Sequence, residues 1–128
     1  MTSDELVMKV SPRSVDDTVA RFSEVLAAKG VKLFAVIDHS GEAAKVGLDL
    51  RDTKVVIFGA PQAGTPVMQA VPGAALDLPL KVLVYDDEGQ TKLIYTAPVA
   101  LAARYGLSDD LTARLAAIDP LTDAVIAA

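Results

Sequence analysis

Three short apolar runs are the feature that most restricts the folds open to this chain. Residues 33–37 read LFAVI between two glycines, residues 54–58 are followed by Gly59, and residues 80–85 are followed by acidic residues. Runs of this length are too short for helices, and they are typical of strands that are covered on both faces. The sequence therefore predicts a buried strand in each run.

An amphipathic helix is predicted between the N-terminus and the first of these runs. Ser14 stands three residues before Asp17, an acidic variant of the capping box, and Gly30 is placed as a left-handed cap at the other end. Between them, apolar residues recur at spacings typical of one helical face. They are Val15, Val19, Phe22 and Leu26.

Further helix signals follow in the second half of the chain. Thr65 is a candidate N-cap with Pro66 at the first helical position, which predicts a short helix from this point. Pro98 is expected to open another helix that ends at Gly106, and Ser108 is expected to cap the next one. The end of the chain is thus predicted to be helical.

The order of these segments favours one fold class. A first strand is predicted at residues 5–10, and residues 80–85 and 92–96 form a predicted hairpin around an acidic, glycine-containing turn. The order β-α-β-β-α-β-β-α-α favours an α/β (α+β) sandwich, with a mixed sheet of about five strands covered by helices. No linker or repeat divides the chain, so we expect a single domain over residues 1–128.

Composition excludes several classes of function. Lys and Arg number 12 against 17 Asp and Glu, giving a net charge of -5 without a basic run, so nucleic acid is not an expected partner. The absence of cysteine excludes disulfides, thiolate nucleophiles and thiolate metal ligands, and suits a reducing compartment. The first ten residues lack the pattern of a secretory leader, and no apolar run approaches a membrane span. We expect a soluble, cytoplasmic protein without a membrane partner.

The turn after the second apolar run is the first candidate site. Gly59, four further residues, Gly64 and a helix start reproduce the spacing of a phosphate-binding loop. Thr65 stands where that loop has lysine and Pro66 where it has the hydroxyl residue, so nucleotide hydrolysis is not expected. Backbone amides around Gly64 and Thr65 could still hold a carboxylate or phosphate. A tight turn with no ligand is the alternative.

His39 is the second candidate, because it is the only histidine and follows an apolar strand. It is a candidate general acid or base, or else a solvated surface residue. Tyr95 and Arg104 could line a polar opening in which Arg104 grips an anion, or could serve packing alone. One histidine cannot form a two-histidine metal site, so no metal is predicted, and nothing indicates a particular cofactor.

Several stretches resemble one known family. These are FGAP at residues 58–61, GTPVMQ at 64–69, ALDLPLKVLVY at 75–85, and the residues Pro98, Leu101, Ala102, Arg104, Tyr105 and Gly106. Together they are similar to the domain of unknown function family numbered 302, over most of the chain from about residue 6. His39 matches a histidine position of that family, whereas Ala60 departs from its usual asparagine. The resemblance implies a small α/β sandwich, commonly dimeric, without an established activity.

The function that we predict is a homodimeric module that binds a small molecule, with anions among the candidate ligands. Its candidate ligand-binding residues are Gly59, Pro61, Gly64, Thr65, Tyr95 and Arg104. The alternatives are a metal-independent enzyme with His39 as general acid or base, and a structural or interaction domain without a ligand site. A dimer is expected because three apolar strands need more cover than the predicted helices supply. Residues 73–80 are expected to lie at or near the partner.

Overall fold

The structure, a computed structural model, describes residues 5–128. The first four residues, part of the segment on which the cytoplasmic expectation rests, lie outside the described residues. The strands are β1 (Leu6–Ser11), β2 (Lys32–Asp38), β3 (Thr53–Gly59), β4 (Leu80–Asp87) and β5 (Gln90–Thr96). The helices are α1 (Val15–Ala28), α2 (His39–Lys45), α3 (Pro61–Ala70), α4 (Pro98–Tyr105), α5 (Asp109–Leu115) and α6 (Ile118–Ile126), with a 3-10 helix at Pro72–Asp77. Within residues 5–128, no helix has both the length and the apolar character needed to cross a bilayer.

The five strands form one sheet in the order β1-β5-β4-β3-β2, which confirms the predicted α+β class. All four neighbouring pairs are antiparallel, whereas we expected a mixed sheet. The reason is the path of α1. This helix carries the chain across the sheet, so β1 and β2 run in the same direction but lie at opposite edges with three strands between them.

One face of the sheet is covered by α1 and α6, and we call it the covered face. Its central residues Val56, Val82, Val84 and Leu93 are fully buried. The two helices contribute Phe22, Leu26 and Val125, among others, to the same core. Burial of each large apolar side chain stabilises the fold by about 1.5–3 kcal/mol. The covered face therefore holds the main core.

The opposite face, which we call the open face, carries an apolar row that crosses all five strands. Paired residues share a face, and the pairing links Ile37 to Val55, Val55 to Leu83, Leu83 to Ile94 and Ile94 to Met8. Ile37 and Met8, at the two ends of this row, are 40% and 45% exposed. A shallow cavity of about 380 Å³ lies over the middle of the row.

The prediction that residues 33–37 are buried on both faces is wrong. They lie in β2, which is an edge strand, and Leu33, Phe34, Val36 and Ile37 are all exposed. The pairing of β2 with β3 also shifts between Leu33 and Ala35, as in a bulge. The other two runs are as predicted on the covered face and are half-buried on the open face.

A second, smaller core lies at the end of the sheet where β3 ends and β4 begins. Val67, Ala74, Leu101 and Leu115 form it, from α3, the 3-10 helix, α4 and α5 respectively. Of residues 73–80, which we expected at the partner, Ala74 is buried in this core, and Leu78 and Leu80 pack against it. The exposed part of the segment includes Leu76, whose side chain is 84% exposed.

The predicted signals at the ends of α1 and α4 and at the start of α5 are confirmed. Ser14 accepts a hydrogen bond from the N–H of Asp17 at the start of α1, and Ser108 accepts one from the N–H of Leu111 at the start of α5. Gly30 and Gly106 follow α1 and α4 with φ of 67° and 63°, the left-handed conformation that glycine adopts most readily.

The hairpin between β4 and β5 is confirmed, but its turn is shorter than expected. Asp87 pairs with Gln90, so only Glu88 and Gly89 form the loop. Their φ angles of 53° and 90° are those of a type I′ turn, which matches the twist of antiparallel strands. The acidic residues Asp86 and Asp87 are therefore part of the strand.

Candidate functional site

A mainly apolar cavity lies beside the turn between β3 and α3, and we call it the turn pocket. Its volume is about 190 Å³. Gly59, Pro61 and Gly64, three of the predicted ligand-binding residues, line it. The apolar side chains around them include Phe34, Met68, Leu78, Leu80 and Leu115. Three of the six predicted ligand-binding residues thus lie around one cavity, whereas the residues on its opposite wall were not predicted.

Gly64 faces the interior of this pocket. A Cβ atom built on Gly64 would lie 3.8 Å from Met68 Cε and 3.9 Å from Leu78 Cδ1, which are ordinary contacts with two residues of the lining. Because Gly64 has no side chain, the space between those residues stays empty. Any larger residue at this position would reduce the volume of the pocket.

The expected start of α3 is wrong, and the error changes the chemistry of the turn. The helix begins at Pro61, four residues before Thr65, with Pro66 inside it. The N–H of Gly64 donates to the carbonyl oxygen of Ala60 at 2.9 Å. The amide of Gly64 is therefore used within the helix, and Thr65 is an exposed helical residue that does not line the pocket.

Among residues 5–128, Arg114 provides the only charged side chain in the lining of the turn pocket. Its Nη1 lies 3.5 Å from the carbonyl oxygen of Gln62. That oxygen has no ordinary helical donor, because the residue four positions later is Pro66, which lacks an N–H. Proline inside α3 thus leaves an acceptor that faces α5, and Arg114 lies against it.

Lys32 brings a second positive charge near the same pocket. Its Nζ lies 4.9 Å from the ring centroid of Phe34, a cation–π contact, and Phe34 is part of the lining. Neither Lys32 nor Arg114 forms an ion pair with any carboxylate in residues 5–128. In the part of the chain that the structure describes, no acidic residue lines the pocket.

His39 lies at the other end of the sheet. It follows Asp38, which pairs with Lys54, whereas Gly59 pairs with Lys32 at the opposite ends of the same two strands. Six residues of strand separate these pairs, a distance of about 20 Å. The structure therefore does not bring His39 and the turn together, and His39 lines the cavity on the open face.

Asp38 and Ser40, the residues on either side of His39, form hydrogen bonds at the N-terminal end of α2. The carboxylate of Asp38 accepts hydrogen bonds from the N–H of Gly41 at 2.9 Å and the hydroxyl of Ser40 at 2.8 Å. These two bonds lower the pKa of Asp38. Ser40 Oγ also accepts from the N–H of Thr53 at 3.1 Å. Both side chains thus serve the local fold, and no hydrogen bond orients the His39 ring within residues 5–128.

Tyr95 and Arg104 also lie outside the turn pocket. The Tyr95 hydroxyl donates to the Asp119 carboxylate. Burial is the main cause that raises the pKa of Tyr95, and the bond to Asp119 raises it further. Arg104 Nη1 donates to Asp77 at 2.8 Å. The hydroxyl of Tyr105 donates to the same carboxylate. The hydrogen bond from Tyr105 is the main cause that lowers the pKa of Asp77, and the bond from Arg104 lowers it further. Arg104 therefore already holds a carboxylate of its own chain.

Comparisons with known proteins agree with this fold. A family profile described as "Domain of unknown function DUF302" matches residues 7–125. A crystal structure of an uncharacterised conserved DUF302 protein from Bacillus stearothermophilus superposes with a TM-score of 0.82, covers 97% of both chains and is 20% identical. At that identity the superposition establishes the shared fold.

Curated relatives are considerably longer than this chain. The chain is 38% identical over 109 residues to "Fluoride-specific ion channel FluC 1" of Brucella suis, covering 83% of this chain and 43% of that protein. A Brucella abortus protein of the same name is also 38% identical, with 40% of its length covered. The chain thus spans about two fifths of the length of the curated relatives it matches. Because the family profile extends over nearly the whole sequence, this chain belongs to the DUF302 family.

Proposed function

We propose that this chain is a cytoplasmic, homodimeric module that binds a small, largely apolar molecule in the turn pocket. The observation that carries the proposal is the size and lining of that pocket. At about 190 Å³ it exceeds the cavity of about 150 Å³ that suffices to bind benzene in an engineered protein. A ligand of about six to ten heavy atoms fits this space.

The expected affinity is modest. The net binding free energy per heavy atom ranges from at most about 1.5 kcal/mol in the smallest ligands to about 0.3 kcal/mol in drug-sized ones. At about 0.6 kcal/mol per atom, a ligand of about eight atoms gains about 5 kcal/mol, which corresponds to a dissociation constant of about 0.1–1 mM. Titration followed by NMR suits that range, and native mass spectrometry of the purified protein would detect a tighter natural ligand.

A matched pair of glycine variants tests the proposal. Gly64→Leu places a side chain between Met68 and Leu78 and should abolish binding of a probe such as indole. Gly73→Leu adds the same side chain where no heavy atom lies within 4 Å, and should leave binding unchanged. Equal indole binding by both variants and the unsubstituted protein would refute the proposal. His39→Ala should not alter binding, because His39 lies outside the pocket.

We propose the open face as the surface on which a second copy packs. Its apolar row is half-buried in the middle and exposed at both ends, and the polar side chains on the same face include Lys81 and Lys92. Five strands of six residues span about 24 Å by 20 Å, or roughly 480 Å² per copy. A standard interface buries about 800 Å² per partner. The open face is therefore smaller than a standard interface, although area alone does not set the affinity of a dimer.

Sedimentation at micromolar concentration tests this interface. The protein should sediment at twice its mass of 13.4 kDa, and Ile37→Asp should give the monomer without loss of the fold. Leu76→Asp is the control, because Leu76 is more exposed than Ile37 but lies in the 3-10 helix. Dissociation by Leu76→Asp alone would instead favour residues 73–80 as the interface.

A second candidate is fluoride binding, because the curated relatives are named as fluoride-specific ion channels. The turn pocket supports this candidate poorly. A small, strongly hydrated anion needs several donors to replace its water, and among the lining side chains only Arg114 is a charged donor. Titration with sodium fluoride distinguishes the candidates, since saturable shifts at Gly59 and Gly64 with fluoride alone would favour the second.

A further inference from the structure

We propose that the ligand of the turn pocket is a monocarboxylate, with its apolar body inside the pocket and its carboxylate at the mouth, against Arg114 and Lys32. This inference rests on the proposed binding function and adds the chemical class of the ligand. It depends on three observations. They are the absence of an ion pair at the Arg114 guanidinium within residues 5–128, the contact between Arg114 and Gln62, and the lack of any acidic residue among the described residues that line the pocket.

Arg114 differs from every other arginine of the chain. The other four are engaged by carboxylates or by helix-end carbonyls within residues 5–128. Arg21 pairs with Glu24, Arg51 with Asp87 and Arg104 with Asp77, while Arg13 donates to the carbonyl oxygens of Val125 and Ala127. Arg114 has only the 3.5 Å contact with the Gln62 carbonyl. Most of its five N–H donors are therefore available to a ligand.

The position of Arg114 is set by its surroundings. The next residue, Leu115, is buried in the second core and anchors this end of α5. On the opposite side, the Gln62 carbonyl that Pro66 leaves without a helical donor accepts from Arg114 Nη1. One edge of the guanidinium is thus held by the protein, while the planar fork matches the geometry of a carboxylate.

Charge around the pocket favours an anion, although the chain as a whole is acidic. The net charge is -5, yet the lining contains Arg114 and no acidic residue. Lys32 lies over Phe34 at the same pocket and likewise lacks a carboxylate partner within the described part of the chain. Two uncompensated positive charges beside an apolar cavity fit a ligand that has one anionic end and an apolar remainder.

The volume limits that ligand further. A water molecule occupies about 30 Å³ in the liquid. The cavity of about 190 Å³ therefore accommodates a chain of about six carbons or a single aromatic ring, but not a long fatty acid. Hexanoate and benzoate are suitable probes, because each has a neutral counterpart of nearly the same shape in hexanamide and benzamide.

The experiment compares hexanoate with hexanamide in NMR titrations of the full chain at pH 7. Hexanoate should bind about tenfold more tightly than hexanamide, since charge-assisted hydrogen bonds are roughly twice as strong as neutral ones. Arg114→Gln should reduce that advantage to about threefold, the part that Lys32 supplies, and should weaken hexanoate binding more than hexanamide binding. Lys32→Gln should weaken hexanoate binding about threefold, because a mobile ammonium contributes less than a held guanidinium.

Controls separate this inference from the proposed function. Arg51→Gln makes the same chemical change at the far end of β3 and should alter neither affinity. If hexanamide binds as tightly as hexanoate, and Gly64→Leu abolishes both, the pocket binds ligands and the carboxylate inference is wrong. If neither probe binds, the proposed function fails together with the inference.

Discussion

The two faces of the sheet are built from similar residues but are covered to very different degrees. In β4, Val82 and Val84 on the covered face are fully buried, while Leu83 between them lies half-buried on the open face. Alternation along a strand sends neighbours to opposite faces, and here both faces are apolar. The difference comes from α1 and α6, which both pack on the same side. The apolar character of a strand therefore does not by itself indicate whether helices of the same chain cover both of its faces.

The largest expected effect comes from removing a side chain that covers the sheet. Phe22 is fully buried and its ring centroid lies 5.9 Å from that of Phe58. Phe22→Ala should lower the free energy of unfolding by about 3–5 kcal/mol, because it opens a cavity in the main core. Met8→Ala on the open face is the control and should cost less than 1 kcal/mol at submicromolar concentration. Urea unfolding measures both, and equal losses would contradict the assignment of the two faces.

The next effect concerns stability that the open face gains from a second copy. If a dimer forms there, the free energy of unfolding should increase with protein concentration, by about 2.7 kcal/mol per dimer over a hundredfold range. Ile37→Asp should make the thermal midpoint independent of concentration, whereas Leu76→Asp should not. A midpoint that is already independent of concentration in the unsubstituted protein would exclude a dimer that is coupled to folding.

Local signals in the sequence predicted local structure well. The N-caps at Ser14 and Ser108 and the glycine caps at Gly30 and Gly106 depend on residues a few positions apart, so their geometry can be inferred directly. The start of α3 was misplaced because Pro66 resembled a first-turn proline. In fact an earlier proline, Pro61, occupies that position.

Long-range relations were the part that the sequence could not supply. Residues 33–37 have the composition of a central strand, but their place at the edge follows from the path of α1 across the sheet. In the candidate site, the turn at Gly59 was found from its glycines. Arg114 and Phe34 were missed, because they reach the pocket from elements distant in sequence and carry no motif. Pro66 inside α3 was the one sequence signal that the carbonyl of Gln62 needs a hydrogen-bond donor from outside the helix.

Two tyrosines provide a finer comparison of the faces. Tyr95 on the covered face connects the sheet to α6 through Asp119, and the Nζ of Lys9 lies 5.4 Å from its ring centroid. Tyr85, on the open face, has no hydroxyl hydrogen bond within residues 5–128. Tyr95→Phe should lower the free energy of unfolding by about 1 kcal/mol, because Asp119 loses a buried donor, whereas Tyr85→Phe should have almost no effect. A larger loss for Tyr85→Phe would show that the open face is more closely packed than the structure indicates.

The smallest effect should come from an ion pair at the end of the open face. Asp87 and Lys92 form a salt bridge, and the hydrogen bond from Lys92 is the main cause that lowers the pKa of Asp87 below its ordinary value of 3.8. A carboxylate whose pKa is lower in the folded state contributes stability that is present above the unfolded pKa. That contribution is lost as the pH falls through the folded pKa.

The unsubstituted protein should therefore be slightly more stable than Asp87→Asn at pH 6, and the difference should disappear towards pH 2. Because the pair is only half-buried, 0.5 M salt should also reduce the difference. Lys92→Gln should have the same effect as Asp87→Asn, and the double variant should be no less stable than either. A difference that persists at pH 2 would show that Asp87 acts through the geometry of β4 rather than through its charge.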